Sequence, residues 1–493
     1  MARSTFDYYS TREPGSLLGR TRSVGDASPR AFPGSGAPAS EDRYEAITLK
    51  NFETVPQLRR LPYELRRDIR VVGSVLPFKS NRYVVEELID WDRIPEDPMF
   101  QLTFPQREML EPEHYARIAA LIDAGASPRE LKATADGIRY ALNPHPAGQV
   151  DHNVPMLEGH PLPGMQHKYR ETALFFPSQG QTCHAYCSYC FRWPQFVGLE
   201  GQKFAMKEAE LLTRYVQQHP ELTDILFTGG DPLVMRTSLL RSYIEPLLEP
   251  GVAPNLRTIR VGSKALAYWP QRFVTDDDAD DLLRLFERVV ASGRQLAYMA
   301  HFNHWAELEH PLATRALARV RETGAVVRTQ TPLVRHVNAD PGVLARMWQG
   351  QVQRGAVPYY LFVARDTGAH RYFELPLLDC WRVFRRAYQQ LSGLARTVRG
   401  PVMSATPGKV QVLGAARAGG ERVIALRFLQ GRNPDWVGRP FFAKYDAEAT
   451  WLDGLRPAFG EQEFFYEPEL RELLSTPGSP WSRTSAQGRV VDA

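Results

Sequence analysis

Three of the four cysteines of this 493-residue chain lie in one short segment, CHAYCSYC. Cys183, Cys187 and Cys190 have the spacing Cys-x3-Cys-x2-Cys, and Cys380 lies far downstream. Thiolates so close in sequence can converge on one metal centre, and sulfur ligands favour zinc or an iron–sulfur cluster. A structural zinc site takes four ligands, and His184 is a poor fourth ligand because it adjoins Cys183. The spacing therefore predicts an iron–sulfur cluster, with zinc or three metal-free buried thiols as the alternatives.

The composition is that of a globular protein, with 43% apolar and 24% charged residues. The net charge of +4 comes from 60 basic and 56 acidic residues without a basic block, which argues against nucleic acid or a membrane surface as a partner. No run of about 18 apolar residues occurs, and the N-terminus lacks the apolar segment of a signal peptide. We therefore expect a cytoplasmic protein with reduced cysteines.

The chain divides into four predicted parts. Residues 1–42 are rich in Ser, Gly, Pro, Arg and Ala and are expected to be disordered. Residues 43–165 have a mostly helical pattern that ends in an extended, proline-rich strap. Residues 166–400 alternate short β-type runs with amphipathic helical stretches, and residues 401–493 begin with hairpin-like strands and end in an irregular aromatic tail.

The alternating part predicts an α/β fold. Its six strand-like runs are TALFFP, DILFTGG, RTIRVGS, QLAYMAHF, VVRTQTPLV and VPYYLFVA, and a helical stretch follows each of them. Successive strand–helix units form a parallel sheet with helices outside it. Six units are fewer than a complete barrel needs, so we expect an open or partial (β/α)6 barrel, with a doubly wound sheet as the alternative. In both folds ligands gather at the C-terminal ends of the strands, where the cysteine loop follows the first strand.

Together these features resemble one known family. Cys-x3-Cys-x2-Cys after the first strand of a six-unit partial barrel is the signature of radical S-adenosylmethionine (SAM) enzymes. The surrounding segments resemble the lysine 2,3-aminomutase family over about residues 95–415, and they are PLPGMQHKYRETALFF, ILFTGGDPLV, IRVGSKALAYWPQRF, HFNH and RTQTPLVRHVN. The resemblance implies a radical SAM partial barrel with a mostly helical N-terminal extension and a small C-terminal β-rich region. It also implies a 4Fe–4S cluster on Cys183, Cys187 and Cys190, whose open iron chelates SAM.

The resemblance also assigns roles to residues near the strand ends. Gly229 and Gly230 would let the backbone approach SAM, since glycine has no side chain to obstruct it. Asp231 would accept hydrogen bonds from the SAM ammonium group. His301 and Gln330 match positions that contact SAM in the family.

Arg192 matches the arginine that binds the substrate carboxylate in the family. It lies two residues past Cys190, and a guanidinium group suits bidentate binding of a carboxylate. The implied partners are a small-molecule substrate and an electron donor such as flavodoxin or ferredoxin. The resemblance also implies a homo-oligomer. This implication is weaker because the chain lacks the zinc-binding cysteines that some members of the family carry.

The chain departs from the family at its second cofactor, pyridoxal phosphate (PLP). The PLP-binding lysine of the family precedes Pro-Val-Met, where this chain has Arg399, and arginine does not form an imine. Thr172 stands in place of the phosphate-binding arginine, and Arg365 stands in place of an acid that binds the lysine substrate's ammonium group. The chain has only nine lysines, of which Lys409 is the candidate to replace the missing one.

We therefore predict a radical SAM enzyme that takes hydrogen from a carboxylate-bearing, amino-acid-like substrate without PLP. The alternative is a PLP-dependent 2,3-aminomutase with Lys409 as the displaced lysine. A non-catalytic iron–sulfur protein is the third hypothesis. Retention of the Gly229–Asp231 segment, His301 and Gln330 argues against it, because an electron carrier needs no SAM pocket.

Overall fold

The computed structural model describes residues 43–143, 152–199 and 205–475. The predicted disordered tail over residues 1–42 lies outside these ranges. Within them, no helix has both the length and the apolar character that crossing a bilayer would require.

The part that precedes the cysteine loop consists mainly of short helices. They are α1 (Pro56–Arg59), α2 (Tyr63–Gly73), α3 (Pro98–Thr103), α4 (Pro112–Asp123) and α5 (Pro128–Ala141), with two antiparallel strand pairs, β1 (Ala46–Ile47) with β2 (Ser80–Asn81) and β3 (Met156–Leu157) with β4 (His160–Pro161). Side chains fix two of the helix starts. Asp97 accepts hydrogen bonds from the first-turn backbone of α3, and Ser127 forms a capping box with Glu130 at α5.

One eleven-stranded sheet forms the centre of the molecule, and its strands are neighbours in chain order. They are β5 (Met165–Tyr169), β6 (Thr172–Phe175), β7 (Asp224–Phe227), β8 (Thr258–Ser263), β9 (Gln295–His301), β10 (Val326–Leu333), β11 (Val357–Val363), β12 (Arg399–Ser404), β13 (Gly408–Ala418), β14 (Glu421–Gly431) and β15 (Pro440–Lys444). Strands β6 to β12 pair in parallel. Strands β5, β13, β14 and β15 pair antiparallel. The fold is therefore mixed α/β, and the six predicted strands are β6 to β11.

Helices connect the parallel strands and cover one face of the sheet. They are α6 (Trp193–Phe196), α7 (Ala209–Gln218), α8 (Thr237–Leu248), α9 (Ala265–Tyr268), α10 (Ala279–Ala291), α11 (Ala306–Glu309), α12 (Pro311–Glu322), α13 (Pro341–Gln353), α14 (His370–Phe373) and α15 (Leu377–Gln389), with α16 (Glu467–Leu474) near the end of the described chain. The six predicted helices are α7, α8, α10, α12, α13 and α15.

Alternation along the strands separates the helix-covered face from the opposite face, which we call the inner face. In β10 every second residue is buried, and Thr329 Oγ1 donates to Gln351 Oε1 of α13 at 2.6 Å. The intervening residues Arg328 and Gln330 are partly accessible. Because successive strand residues point to opposite faces, Arg328 and Gln330 belong to the inner face.

The sheet curves so that strand β5 meets the turn between β12 and β13. Lys168 of β5 donates to the carbonyl oxygen of Ala405 in that turn. The Lys409 ammonium group, at the start of β13, lies 4.3 Å from the ring centre of Tyr169 in β5. These contacts join residues more than two hundred positions apart and enclose the inner face.

Burial of the helices against the sheet is the main source of stability, and one substitution made at two positions tests this. Leu285 of α10 is fully buried, whereas Leu394 is 75% exposed. We expect Leu285→Ala to lower the free energy of unfolding by about 2–5 kcal/mol, because it removes buried methyl groups and leaves a cavity. Leu394→Ala should stay within about 0.5 kcal/mol of the parent. Thermal and denaturant melts measure both, and equal losses would contradict the packing described here.

Candidate functional site

The cysteine loop follows β6 at the C-terminal edge of the parallel strands. Hydrogen bonds from its backbone hold it against the N-terminal part of the chain, with Tyr186 N donating to Lys79 O at 2.7 Å and Ser188 N to Leu102 O at 2.9 Å. The three cysteines are free thiols with partial solvent access. The loop is thus fixed by its backbone, and its thiols remain available to a ligand.

Each thiol of the loop combines burial with a cationic neighbour. Burial raises the thiol pKa of all three, to about 12 for Cys190, and neighbouring thiols raise the pKa of Cys183 and Cys190 further. A nearby cation opposes this in each case, namely Lys79 for Cys183, Lys264 for Cys187 and Arg192 for Cys190. Positive charge favours the thiolate, which is the form that binds metals. The surroundings therefore suit three thiolates that a positively charged centre would share.

Among the described residues, no three His, Cys, Asp or Glu side chains, the three loop cysteines included, are placed to hold one metal ion. His184, the only alternative fourth ligand considered above, packs edge-on against Tyr44 at 5.6 Å between ring centres. Burial lowers its imidazole pKa to about 3. Three cysteines without a fourth protein ligand suit a 4Fe–4S cluster with one open iron.

Gly229 and Gly230 bring the loop after β7 against the backbone that leads into Cys183. A Cβ atom on Gly230 would lie 2.3 Å from Thr182 O, and one on Gly229 would lie 2.7 Å from Gly180 O. The close approach expected of these glycines is present, but in the structure it is to residues 180–182 of the protein. Asp231 N donates to Gly180 O at 3.1 Å and to Thr182 O at 2.7 Å, and these hydrogen bonds stabilise the contact.

The Asp231 carboxylate ties this loop to the end of β8. It is 2% exposed. Its Oδ1 accepts from Leu233 N at 2.9 Å, and its Oδ2 accepts from Ser263 Oγ at 2.9 Å and from Lys264 N at 2.8 Å. Burial raises the Asp231 pKa to about 6. The structure thus gives this carboxylate a structural role, and its contact with a SAM ammonium group stays a prediction.

His301 and Gln330 lie side by side next to the cysteine loop. They are paired residues of the neighbouring strands β9 and β10, and both are partly accessible. His301 Nε2 lies 3.1 Å from the hydroxyl oxygen of Tyr189, which belongs to the cysteine loop. Burial lowers the His301 pKa well below its usual value, so its imidazole is neutral. The structure therefore brings together two predicted site residues that are far apart in sequence.

A buried ion pair behind the cysteines was not predicted from the sequence. Lys264 Nζ donates to Glu307 Oε1 at 2.6 Å and to Asn303 Oδ1 at 2.9 Å. The Tyr189 hydroxyl donates to the same Asn303 oxygen at 2.9 Å. Buried ion pairs persist where further hydrogen bonds satisfy both partners, as here. The network supports the cysteine loop from behind. Lys264 and Asn303 lie in the segments IRVGSKALAYWPQRF and HFNH, but nothing in the sequence linked them to Glu307.

Two guanidinium groups flank one aromatic ring at the edge of the inner face. The Arg192 guanidinium carbon lies 5.2 Å from the Phe191 ring centre, and that of Arg365 lies 5.1 Å from it. Burial lowers the Arg192 pKa to about 10, which leaves it charged at neutral pH. Arg192 forms no ion pair with any described residue. This pair of cations is suited to an anionic ligand beside the cysteine loop.

Arg399 and Lys409 also lie on the inner face. The Arg399 guanidinium carbon is 4.2 Å from the ring centre of Tyr359 and 4.3 Å from that of Tyr360. Lys409 Nζ donates to Gln430 Oε1 at 2.5 Å. Burial, assisted by the charges of Arg260 and Arg399, lowers the Lys409 pKa to about 7. Thr172, which replaces the expected phosphate-binding arginine, is buried in β6.

Comparison with known proteins agrees with the sequence motifs. No protein-family model matches the chain. It is 30% identical over 408 residues, covering 83% of this chain and 93% of the relative, to a protein of Aquifex aeolicus named "Putative L-lysine 2,3-aminomutase". It is 29% identical to the L-lysine 2,3-aminomutase of Escherichia coli, covering 52% of this chain and 72% of the relative. It is 24% identical to that of Bacillus subtilis, covering 57% and 54%. The chain therefore belongs to the lysine 2,3-aminomutase family.

Proposed function

We propose that this protein is a radical SAM enzyme that abstracts hydrogen from a carboxylate-bearing, amino-acid-like substrate without PLP. The observation that carries the proposal is the loop of three partly accessible thiols, each beside a cation, at the edge where His301 and Gln330 meet it. Cys183, Cys187 and Cys190 would hold a 4Fe–4S cluster. We further propose that β6 to β11 act as the partial (β/α)6 barrel of this class, within residues 166–400.

A 4Fe–4S cluster on Cys183, Cys187 and Cys190 would supply, with SAM bound, the one-electron reduction that breaks a C–S bond of SAM. The protein's own residues have other tasks. The Gly229–Gly230 contact fixes the cysteine loop, and the inner face would limit the access of water to the reacting atoms. Arg192, charged and without an ion-pair partner among the described residues, would hold the substrate carboxylate next to the thiols.

Arg399 supports a reaction without PLP. Its guanidinium group stacks on Tyr359 and Tyr360 at the position where the family pattern has the imine-forming lysine. A guanidinium group stays protonated and is not a usable amine nucleophile. A small-molecule substrate and an electron donor such as flavodoxin or ferredoxin are the partners that this proposal includes. It also includes a cytoplasmic location, and a homo-oligomer is compatible with it.

One observation favours a second candidate, a PLP-dependent 2,3-aminomutase. Burial lowers the Lys409 pKa to about 7, so a substantial fraction of its side chain is a neutral amine at neutral pH. A neutral amine on the inner face is able to form an imine with an aldehyde. The two candidates share the cluster and SAM and differ only in the use of PLP.

One set of alanine variants tests the cluster. We expect Cys183→Ala, Cys187→Ala and Cys190→Ala to lose iron binding and the release of 5′-deoxyadenosine from SAM, because each removes a cluster ligand. Cys380→Ala is the matched control, since Cys380 is buried in α15, outside the loop. Iron content, visible absorbance and anaerobic SAM cleavage are measured for all four. Full activity of Cys183→Ala would overturn the site assignment.

A glycine substitution tests the support of the loop. We expect Gly230→Ala to lower iron content at least severalfold, because its Cβ would collide with backbone atoms of Thr182 and displace the residues leading into Cys183. Gly137→Ala in α5 meets no atom within 4 Å and should leave iron content unchanged. Iron per folded chain is the measurement. Equal iron content in the two variants would show that the loop contact is dispensable.

Added PLP separates the two candidate reactions. We expect purified protein to show no imine absorbance with PLP, and SAM-dependent turnover to be unchanged by it, because Arg399 occupies the lysine position. An imine band that Lys409→Ala abolishes and Lys444→Ala preserves would instead establish the second candidate. Borohydride reduction followed by mass mapping identifies any lysine that reacts.

A further inference from the structure

The inner face carries a concentration of positive charge that the mechanism above does not use. Arg399 and Lys409 flank the ring of Tyr360, at 4.3 Å and 5.8 Å from its centre. Lys409 and Lys168 share the ring of Tyr169, at 4.3 Å and 5.5 Å. We call Arg399, Lys409 and their aromatic rings the basic pocket.

Two hydrogen-bond acceptors of these cations are neutral. Lys409 donates to the amide oxygen of Gln430, and Lys168 donates to the carbonyl oxygen of Ala405. Asp224 is the carboxylate whose charge acts on Lys409, and it already accepts a hydrogen bond from Arg260 Nε at 2.6 Å. Arg260 and Lys409 therefore share one carboxylate, and the charge of Arg399 also acts on Lys409.

Arg399 has hydrogen-bonding capacity to spare. Its Nη2 is buried and has no hydrogen-bond partner among the described residues. Its side chain nevertheless keeps partial access, as does that of Lys409. Leaving a buried donor unsatisfied costs about 1–3 kcal/mol. Arg399 Nη2 is therefore a donor that an acceptor from outside the chain would satisfy.

A series of basic and aromatic groups links the basic pocket to the proposed substrate site. Arg192 and Arg365 both lie near the Phe191 ring, beside the cysteine loop. Arg365 acts electrostatically on both Lys168 and Tyr169. Asp366 and Asp453 also act on Arg365, so its charge is partly balanced. The Tyr169 ring in turn lies 4.3 Å from Lys409 Nζ, which connects this series to the basic pocket.

We infer that the substrate carries two acidic groups, one bound by Arg192 and the second, a carboxylate or a phosphate, bound by Arg399 and Lys409. This inference rests on the proposed function and specifies its substrate class. Guanidinium and ammonium groups bind carboxylate and phosphate oxygens through charge-assisted hydrogen bonds, which are about twice as strong as neutral ones. A substrate with a cationic far end, such as lysine, would be repelled by the same groups.

Anaerobic calorimetry on the reconstituted, SAM-loaded enzyme tests this inference. The probes are L-glutamate and O-phospho-L-serine as diacids, L-glutamine as the neutral isostere of glutamate, and L-lysine as the cationic comparison. We expect at least one diacid to bind about tenfold or more tightly than glutamine, since its extra charge meets unpaired donors. The ranking of glutamate against phosphoserine shows whether the second group is a carboxylate or a phosphate.

Variants of the pocket complete the experiment. Arg399→Gln and Lys409→Gln should each weaken the preferred diacid about tenfold or more while leaving glutamine binding unchanged, and Arg399→Lys should recover part of the loss. Arg417→Gln and Lys444→Gln are the controls, because both residues are exposed on the antiparallel strands. Melting temperatures identify any variant that is misfolded, and the remaining variants decide the result.

The outcomes separate this inference from the proposed function. Equal binding of both diacids and glutamine by an enzyme that holds iron and cleaves SAM would overturn the inference alone. A diacid preference that survives Arg399→Gln and Lys409→Gln would also overturn it. A protein without iron or SAM cleavage would overturn the proposed function, whatever it binds.

Discussion

The contact between the loop after β7 and the backbone entering Cys183 is the constraint on which the site depends. Gly230 lies so close to Thr182 that a single added carbon would overlap it. Asp231 completes the contact, because its backbone N–H donates to the cysteine loop and its carboxylate accepts from the end of β8. Three segments that are separated in sequence are thereby held in one position. This backbone contact positions the thiols, because a short loop with three cysteines has no regular structure that would position them by itself.

The cations around the thiols come from three different segments of the fold. Lys79 belongs to the N-terminal part, Lys264 follows β8 and Arg192 belongs to the cysteine loop itself. Burial alone would keep the thiols protonated, and the cations lower the thiol pKa in opposition to it. Lys264 forms an ion pair with Glu307, which restricts the position of the Lys264 ammonium group. The folded chain thus places positive charge around the three thiols, which would balance the negative charge of thiolates.

The secondary structure was predicted well where the hydrophobic periodicity is strong. The site was predicted less well where its contacts join residues that are distant in sequence. Strands β6 to β11 and their helices were predicted because alternating and helical patterns are local. Strand β12 was missed as a seventh parallel strand, since Gly400 and Pro401 are poor strand formers and no helix follows it. The Lys264–Glu307 pair could not be predicted, because 43 positions separate its partners. Gly229 and Gly230 were predicted to let the backbone approach SAM; in the structure they approach atoms of the chain itself, and the contact with SAM stays a prediction.

The basic pocket is costly for the folded protein, and this cost indicates why it exists. Burying a charge without an opposite charge costs several kcal/mol, and each aromatic contact of Arg399 or Lys409 returns only about 0.5–2 kcal/mol. The hydrogen bond from Lys409 to the neutral amide oxygen of Gln430 recovers a further part. The remaining deficit is relieved when an anion enters, so ligand binding and folding stability are coupled. If these cations served stability alone, apolar side chains of similar volume at the same positions would stabilise the fold more. The positive charge on the inner face is therefore best explained by the anionic ligand that we propose.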